Sequence, residues 1–169
     1  MPTTPLANIP NGSNVFIDAN IFVYALSGQS PQCSHLLERC GREEITGITL
    51  FEIVNEAAHR FMLAEAYGDG HIKSINDVRG LRSKFSVISS LTEYWRNTER
   101  ILSLNLLLLA TEESILKDAQ KERPVAFLLT NDSMVVACMR QYGISQIATA
   151  DGDFARVSGI TVYSPDDLP

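Results

Sequence analysis

The chain is poor in the features of stapled, membrane-spanning or strongly basic proteins. Cysteine occurs three times in 169 residues, a small and odd number that argues against a disulfide framework. The longest apolar run, ILSLNLLLLA at 101–110, is about half of what a spanning helix needs. No signal-peptide pattern opens the sequence, so the expectation is a cytoplasmic protein with no membrane association. Basic residues are outnumbered, 14 Lys and Arg against 20 Asp and Glu, for a formal net charge of −6; taken alone, that balance speaks against a polyanionic partner. Internal repeats and low-complexity tracts are absent, which excludes a repeat architecture.

What is present is an ordinary globular balance, 45% hydrophobic and 20% charged, in a length that suits one domain with a core of its own. Residues 1–12 hold Pro2, Pro5 and Pro10 and no charged side chain, so residues 1–13 read as a flexible arm ahead of a single domain at 14–169. The charges are uneven. Between residues 73 and 100, Lys73, Arg79, Arg82, Lys84, Arg96 and Arg100 stand against only Asp77, Glu93 and Glu99, whereas acids gather in the motifs below and at Asp166 and Asp167. A basic middle beside an acidic site is compatible with a polyanionic substrate.

Apolar periodicity and punctuation give a coarse element order. NVFID, Asn14 to Asp18, is a short apolar run ending in an acid, as in a buried strand of a parallel sheet. Asn20 to Leu26 continues as a turn or helix. Ser30, with Pro31 behind it, opens a helix that runs to Gly41, and Ile45 to Ile48 is a short strand. Thr49 is placed to cap a longer helix, with Glu52 as its capping-box partner or as something more; Phe51, Val54, Ala58, Phe61 and Met62 form that helix's apolar stripe. After a break at Tyr67 to Gly70, a helix is expected over 72–81, a strand at Phe85 to Ile88, and a helical stretch from Leu91 to Gln120 in two pieces, ended by Pro124. Thr130 or Asn131 caps a helix from Asp132 to Tyr142, stopped by Gly143. Strands at Gln146 to Ala148 and Ile160 to Tyr163 flank a turn at Asp153 to Val157. The alternation predicts an α/β protein, a three-layer α/β/α sandwich around a mostly parallel sheet, with a helical middle segment at about 68–126.

In such sheets ligands bind beyond the C-terminal ends of the strands. Asp18 and Asp151 each follow an apolar strand, Glu52 and Asp132 fall in the first turns of helices, and Asp153 stands beside Asp151. All should meet in one crevice. Gathered carboxylates raise one another's pKa unless a cation compensates, and all-oxygen ligands suit Mg²⁺ or Mn²⁺ better than Zn²⁺. No member of the set is a covalent nucleophile partnered by a base, so metal-assisted hydrolysis is the fitting chemistry.

Each acid also has a plainer reading. Asp18 can be a strand-end turn residue. Glu52 can be only the partner of Thr49, with Glu56 one turn later taking its place as ligand. Asp132 can be a first-turn acid favoured by the helix dipole, and Asp153 a direct ligand, a water-mediated ligand or a turn residue in an Asp-Gly-Asp loop. Cys33, His35 and Cys40 invite a zinc site, but the cysteines lie two helical turns apart, too far for one ion. Trp95, beside Tyr94 and Arg96, can stack on a base or pack in a core or interface. The run from Leu102 to Leu109 is either buried or partly a dimer surface.

FIDANIFVYAL, TLFEIVNE, LLTNDSMVVACMRQYG and IATADGDFARVSGITVY, in that order over nearly the whole chain, resemble a PIN domain of the VapC ribonuclease-toxin type. The most specific part is an acid opening a helix, Asp132, followed by T-x-D-x-D-F at Thr149 to Phe154. The resemblance implies a Mg²⁺- or Mn²⁺-dependent endoribonuclease acting on RNA, usually a homodimer, often held inactive by an antitoxin protein whose segment enters the active-site groove. It implies Asp18, Glu52, Asp132 and Asp151 as catalytic, metal-binding acids, Asp153 as an auxiliary ligand, and Asn20 and Thr149 as their small polar neighbours. Residues 68–126 depart from compact members and leave the substrate-gripping region and dimer surface unassigned. Among rival readings, a haloacid-dehalogenase-type, metal-dependent phosphatase wants an acid where Asn20 stands. A phospho-receiver domain wants paired acids beside its first strand. A DNA-directed structure-specific nuclease usually carries additional acids and helical modules. A catalytically silent PIN-like module that binds a protein partner would be expected to have lost the acids kept here.

Overall fold

Short apolar runs, each too short for a helix, form the strands of one sheet. The computed structural model of the chain describes residues 3–168. Within them, β1 (Thr4–Pro5), β2 (Asn14–Ile17), β3 (Thr46–Leu50), β4 (Leu106–Leu109), β5 (Gln146–Ala148) and β6 (Thr161–Ser164) pair in the order β1-β6-β5-β2-β3-β4, every pair parallel. Val15, Phe16 and Ile17 of β2 are wholly buried, as a central parallel strand covered on both faces requires.

The helices are α1 (Ala19–Leu26), α2 (Pro31–Gly41), α3 (Phe51–Gly68), α4 (Val78–Arg82), α5 (Phe85–Ser90), α6 (Glu93–Ser103), α7 (Glu113–Ala126) and α8 (Thr130–Gln141). α1 packs on α2 and α3, and α3 on α6; α7 and α8 pack on each other. The chain steps outward from β2 to β3 and β4, then returns across the sheet to β5 on the other side of β2. Right-handed crossovers therefore put the two helical groups on opposite faces. This is the three-layer sandwich expected, and its sheet is parallel throughout.

The local differences from expectation have physical causes. Residues 3–13 are fastened down rather than flexible: β1 pairs with β6, Leu6 and Ile9 are buried, and the buried Arg39 guanidinium donates to the Ile9 carbonyl and to Asn11 Oδ1, both at 2.7 Å. Residues Phe85 to Ile88 are helical, because Val87, Ile88 and Leu91 turn together onto a small second core with Leu63, Ala66, Ile72 and Leu81. Leu106 to Leu109 forms a strand pairing with β3 at the sheet edge, where strand pairing overrides leucine's helix preference. Pro124 does not end α7, which runs on to Ala126 and closes on Phe127 in the left-handed region, φ 56°. Ser30 does cap α2, its Oγ accepting from the Cys33 N–H at 3.0 Å, while Asp167 accepts from Ser30 Oγ and the Gln32 N–H.

α6 is set in place by Glu65 of α3, whose carboxylate accepts from the Thr92 and Tyr94 N–H groups, both at 2.8 Å. Burial would raise this carboxyl, but the backbone donors of Tyr94, Thr92 and Glu93 outweigh it and hold the group below its usual range. Gly47 lets β3 lie close against the side chains of α2 and β4. A Cβ there would lie 2.5 Å from Leu106 Cδ2 and 2.9 Å from Cys40 Sγ. Gly47→Ala should therefore cost about 1–3 kcal/mol of stability, read from the urea midpoint at unchanged slope; an unchanged midpoint would show that the strand is free to shift.

Candidate active site

The sheet's topological switch lies where β5 and β3 flank β2, and the chain's acids gather at that end. Asp18 leaves the C-terminal end of β2 and caps α1. Its Oδ1 accepts from the Ala19 N–H at 2.7 Å. Its Oδ2 accepts from Asn20 Nδ2 at 2.7 Å and from Thr149 Oγ1 at 2.6 Å. Thr149 Oγ1 in turn accepts from Asn20 Nδ2 at 3.0 Å and from the Asp151 N–H at 2.9 Å. Asn20 Oδ1 accepts from the Ala150 N–H at 2.9 Å. Asp18, Asn20 and Thr149 thus form a closed triangle that ties the end of β2 to the end of β5.

Thr49 plays a part that its sequence position disguised. It stands in β3, fully buried, and its hydroxyl donates to the Ile17 carbonyl at 2.9 Å, the last residue before Asp18. It does not cap α3, whose N-cap is Leu50 with no capping side chain. Asp132 lies in the first turn of α8, which starts at Thr130; the N-cap is Leu129, again with no side-chain cap, so neither Thr130 nor Asn131 serves as one. The helix's free N–H ends and dipole favour an anion there. Asp151 Oδ1 accepts from the Asp153 N–H at 2.8 Å and opens the short 3₁₀ turn Gly152–Arg156. Arg156 donates to Asp153 Oδ1 at 2.8 Å.

Asp132, Asp151 and Asp153 each offer a carboxylate oxygen within 4.8 Å of the others. Burial pushes the Asp132 carboxyl up to about 6, and the charges of Asp151, Asp18, Asp153 and Glu56 push it the same way. Burial likewise raises Asp18 above its usual value, against its hydrogen bonds from Thr149 and Ala19; the charge of Glu56 raises it further and that of Arg60 lowers it. The group carries hard oxygen donors only, the donor set that a divalent cation such as Mg²⁺ or Mn²⁺ takes and that Zn²⁺ does not prefer.

Four of the five acids singled out by sequence come together here, the charges of Asp18, Asp151 and Asp153 all acting on Asp132. The fifth, Glu52, is exposed. The glutamate among the principal charges acting on Asp18 and Asp132 is Glu56, one turn further along α3 and half-buried. Because Thr49 and Leu50 complete a strand, α3 starts at Phe51 and leaves Glu52 in its opening turn. Arg60 and Arg156 went unnoticed in the sequence; Arg60 Nε lies 3.5 Å from Glu56 Oε1, an i,i+4 spacing that could have signalled the pair. Cys33 and Cys40 are wholly buried, their thiols pushed up to about 11 by burial, which suits packed core side chains.

The crowding of Asp132 has a pH signature. Its folded pKa lies above the ordinary 3.8, so the folded chain holds this proton more tightly than the unfolded chain. The stability it contributes is complete below about pH 4 and is lost as pH rises through about 6. Asn at this position loses nothing on that rise. In excess chelator, the melting temperature of Asp132→Asn relative to wild type should therefore climb between pH 4 and 7.5, whereas a pH-independent difference would mean that Asp132 is not crowded.

Comparison with known proteins agrees with this geometry. The sequence profile of the PIN domain matches residues 15–160. Ribonuclease VapC6 of Methanocaldococcus jannaschii is 26% identical over 151 residues, which span 89% of this chain and 96% of that protein. The structure of VapBC2 from Rickettsia felis, bound to a DNA fragment from its promoter, superposes with a TM-score of 0.56 at 14% identity over 89% of this chain and 98% of the other. A toxin–antitoxin complex from Klebsiella pneumoniae gives 0.54 at 13% identity over 87% and 95%. At these identities the two structures show a shared fold. With the family profile covering the four adjacent strands β5, β2, β3 and β4 of the sheet and Asp18, Glu52, Glu56, Asp132, Asp151 and Asp153, the chain belongs to the PIN domain family.

Proposed function

We propose that this chain is a metal-dependent endoribonuclease that hydrolyses phosphodiester bonds in RNA, and that it is the toxin of a toxin–antitoxin pair. The observation that carries the reading is the meeting of Asp132, Asp151 and Asp153 beside Asp18 at the switch point of the sheet. The likeness to a protein named as a ribonuclease supports the activity, and the fold shared with toxin–antitoxin complexes supports the biological setting.

Asp18, Asp132 and Asp151 are the acids proposed to hold Mg²⁺ or Mn²⁺, with Asp153 as an auxiliary ligand kept in reach by Arg156. Glu56 takes the glutamate place in preference to Glu52. A divalent cation in this donor set supplies an acidified water and neutralises charge on the phosphate. The chain's own residues do the rest. Asn20 and Thr149 fix the Asp18 carboxylate from two sides, so that its orientation does not depend on what is bound. Arg60 offsets part of the negative charge around Asp18.

Val125, Phe127 and Leu129, 76%, 76% and 74% exposed, lie beside the start of α8 and suit a protein partner, either an antitoxin or a second copy in a homodimer. No helix among the described residues is long and apolar enough to cross a membrane, which fits the cytoplasmic setting of such a pair.

The direct test incubates the purified protein with a panel of RNAs, with Mn²⁺, with Mg²⁺ and with excess chelator, and maps the new ends by sequencing. Cleavage is expected with either ion; full turnover in chelator would rule the mechanism out. Asp18→Asn should lower the rate by roughly 100-fold or more while circular dichroism stays unchanged. In calorimetric titration with Mn²⁺, Glu56→Gln should lose more affinity than Glu52→Gln; the reverse order would return the ligand role to Glu52.

A further inference from the structure

Next to the acids, α3 and α6 leave a cleft of about 670 Å³ that the cation chemistry does not use. Trp95 of α6, the only tryptophan in the chain, is 50% exposed on one side of it, and Phe51 of α3 is 61% exposed on the other. Polar atoms enter from Asn55 and His59 of α3 and from Asn131, the residue before Asp132. Two exposed aromatic side chains in a lining that also holds apolar Val54, Ala58 and Leu102 and a few polar groups match the way a planar ligand is held.

Charge narrows the ligand. No Lys or Arg lines the cleft, and Glu52 and Glu56 stand in it, so a phosphate is repelled there while a neutral ring is not. Glu56 is also one of the charges acting on Asp18 and Asp132, so cleft and acidic group are continuous. A nucleotide chain with a phosphate at the acids places a neighbouring base at this opening. The Trp95 wall is prepared in advance, since Glu65 fixes the first turn of α6 through the Tyr94 N–H.

We infer that the cleft is a subsite for one unpaired nucleobase beside the scissile phosphate, with Trp95 as its stacking platform; this rests on the ribonuclease reading above. Glu52 lies at the same cleft and accepts hydrogen bonds only, which favours a base that presents an exocyclic amine, cytosine over uracil.

The test uses the full-length Asp18→Asn protein with Mg²⁺ and follows Trp95 emission during titration with short oligo(C), oligo(U) and an abasic strand of equal length, with fluorescence anisotropy of labelled RNA in parallel. Quenching by the base-bearing strands but not by the abasic strand is expected, with oligo(C) bound several-fold more tightly than oligo(U) and that preference lost in Glu52→Gln. Trp95→Ala should weaken binding roughly tenfold and Trp95→Phe much less. RNA that binds by anisotropy while the tryptophan emission stays constant, or an abasic strand that binds equally well, overturns the subsite and leaves the ribonuclease reading standing. Equal affinity for oligo(C) and oligo(U) overturns the role given to Glu52. Emission that responds to a co-purified partner protein and not to RNA makes the cleft a protein-docking groove and likewise overturns the proposal. Failure of every strand both to bind and, with the wild type, to be cut removes the ribonuclease reading itself.

Discussion

The hydrogen-bonded triangle of Asp18, Asn20 and Thr149 is the constraint on which the arrangement depends. It joins residues 129 and 131 positions apart in sequence, and it does so at the point where the strand order reverses. Thr149 uses its single donor and accepts twice, so the hydroxyl has no freedom to turn away. The backbone continues the same tie, with the Asp18 N–H donating to the Ala148 carbonyl at 3.1 Å and the Thr149 N–H to the Tyr163 carbonyl at 2.9 Å. One charged side chain is thereby built into the sheet rather than appended to it. Removing either partner leaves a part-buried carboxylate short of a donor, which costs more than the bond itself was worth.

That rigidity matters because the neighbouring acids oppose it. The charges of Asp151, Asp18 and Asp153 raise the proton affinity of Asp132, and unpartnered like charges destabilise the folded chain. The hydrophobic core, the Thr49 bond to the Ile17 carbonyl and the backbone bonds of Asp18 and Thr149 hold the C-terminal strand ends together against the repulsion. Strain of this kind at a site and stability elsewhere are what a functional centre ordinarily shows.

Most of the sheet was legible because buried parallel strands announce themselves as short apolar runs, and Asp18 and Asp151 were legible because each follows one directly. Asp132 and Asp153 were legible through the motif that joins them. Glu52 and Glu56 were not separable, since their i,i+4 spacing puts them on one helical face and only tertiary placement sets which charge acts on Asp18 and Asp132. The start of α3 depended on Thr49, whose hydroxyl could serve a helix cap or a neighbouring strand equally well; tertiary contact with Ile17 decided it. The same holds for Leu106 to Leu109, whose local preference is helical and whose pairing partner lies far off in sequence. Residues 3–13 carry no periodicity at all, and nothing local signals that Leu6 and Ile9 are buried.

The net charge of −6 then loses its force against an RNA partner once the charges are placed along α3. The acids and the Trp95 cleft stand at the helix's N-terminal part, through Glu52 and Glu56. Its C-terminal part packs through Leu63 and Ala66 against Ile72 and Leu81, the segment that carries Lys73, Arg79 and Arg82, all exposed. α3 has 18 residues, or roughly 27 Å of axis, so the two ends lie beyond a Debye length of about 8–10 Å at moderate salt. A polyanion passing along this helix feels each end separately: acids that call for a cation at one, Lys73, Arg79 and Arg82 at the other. On the proposed reading the acidic total reflects where a cation must be held, while attraction for the substrate backbone is supplied from the far end of the same helix.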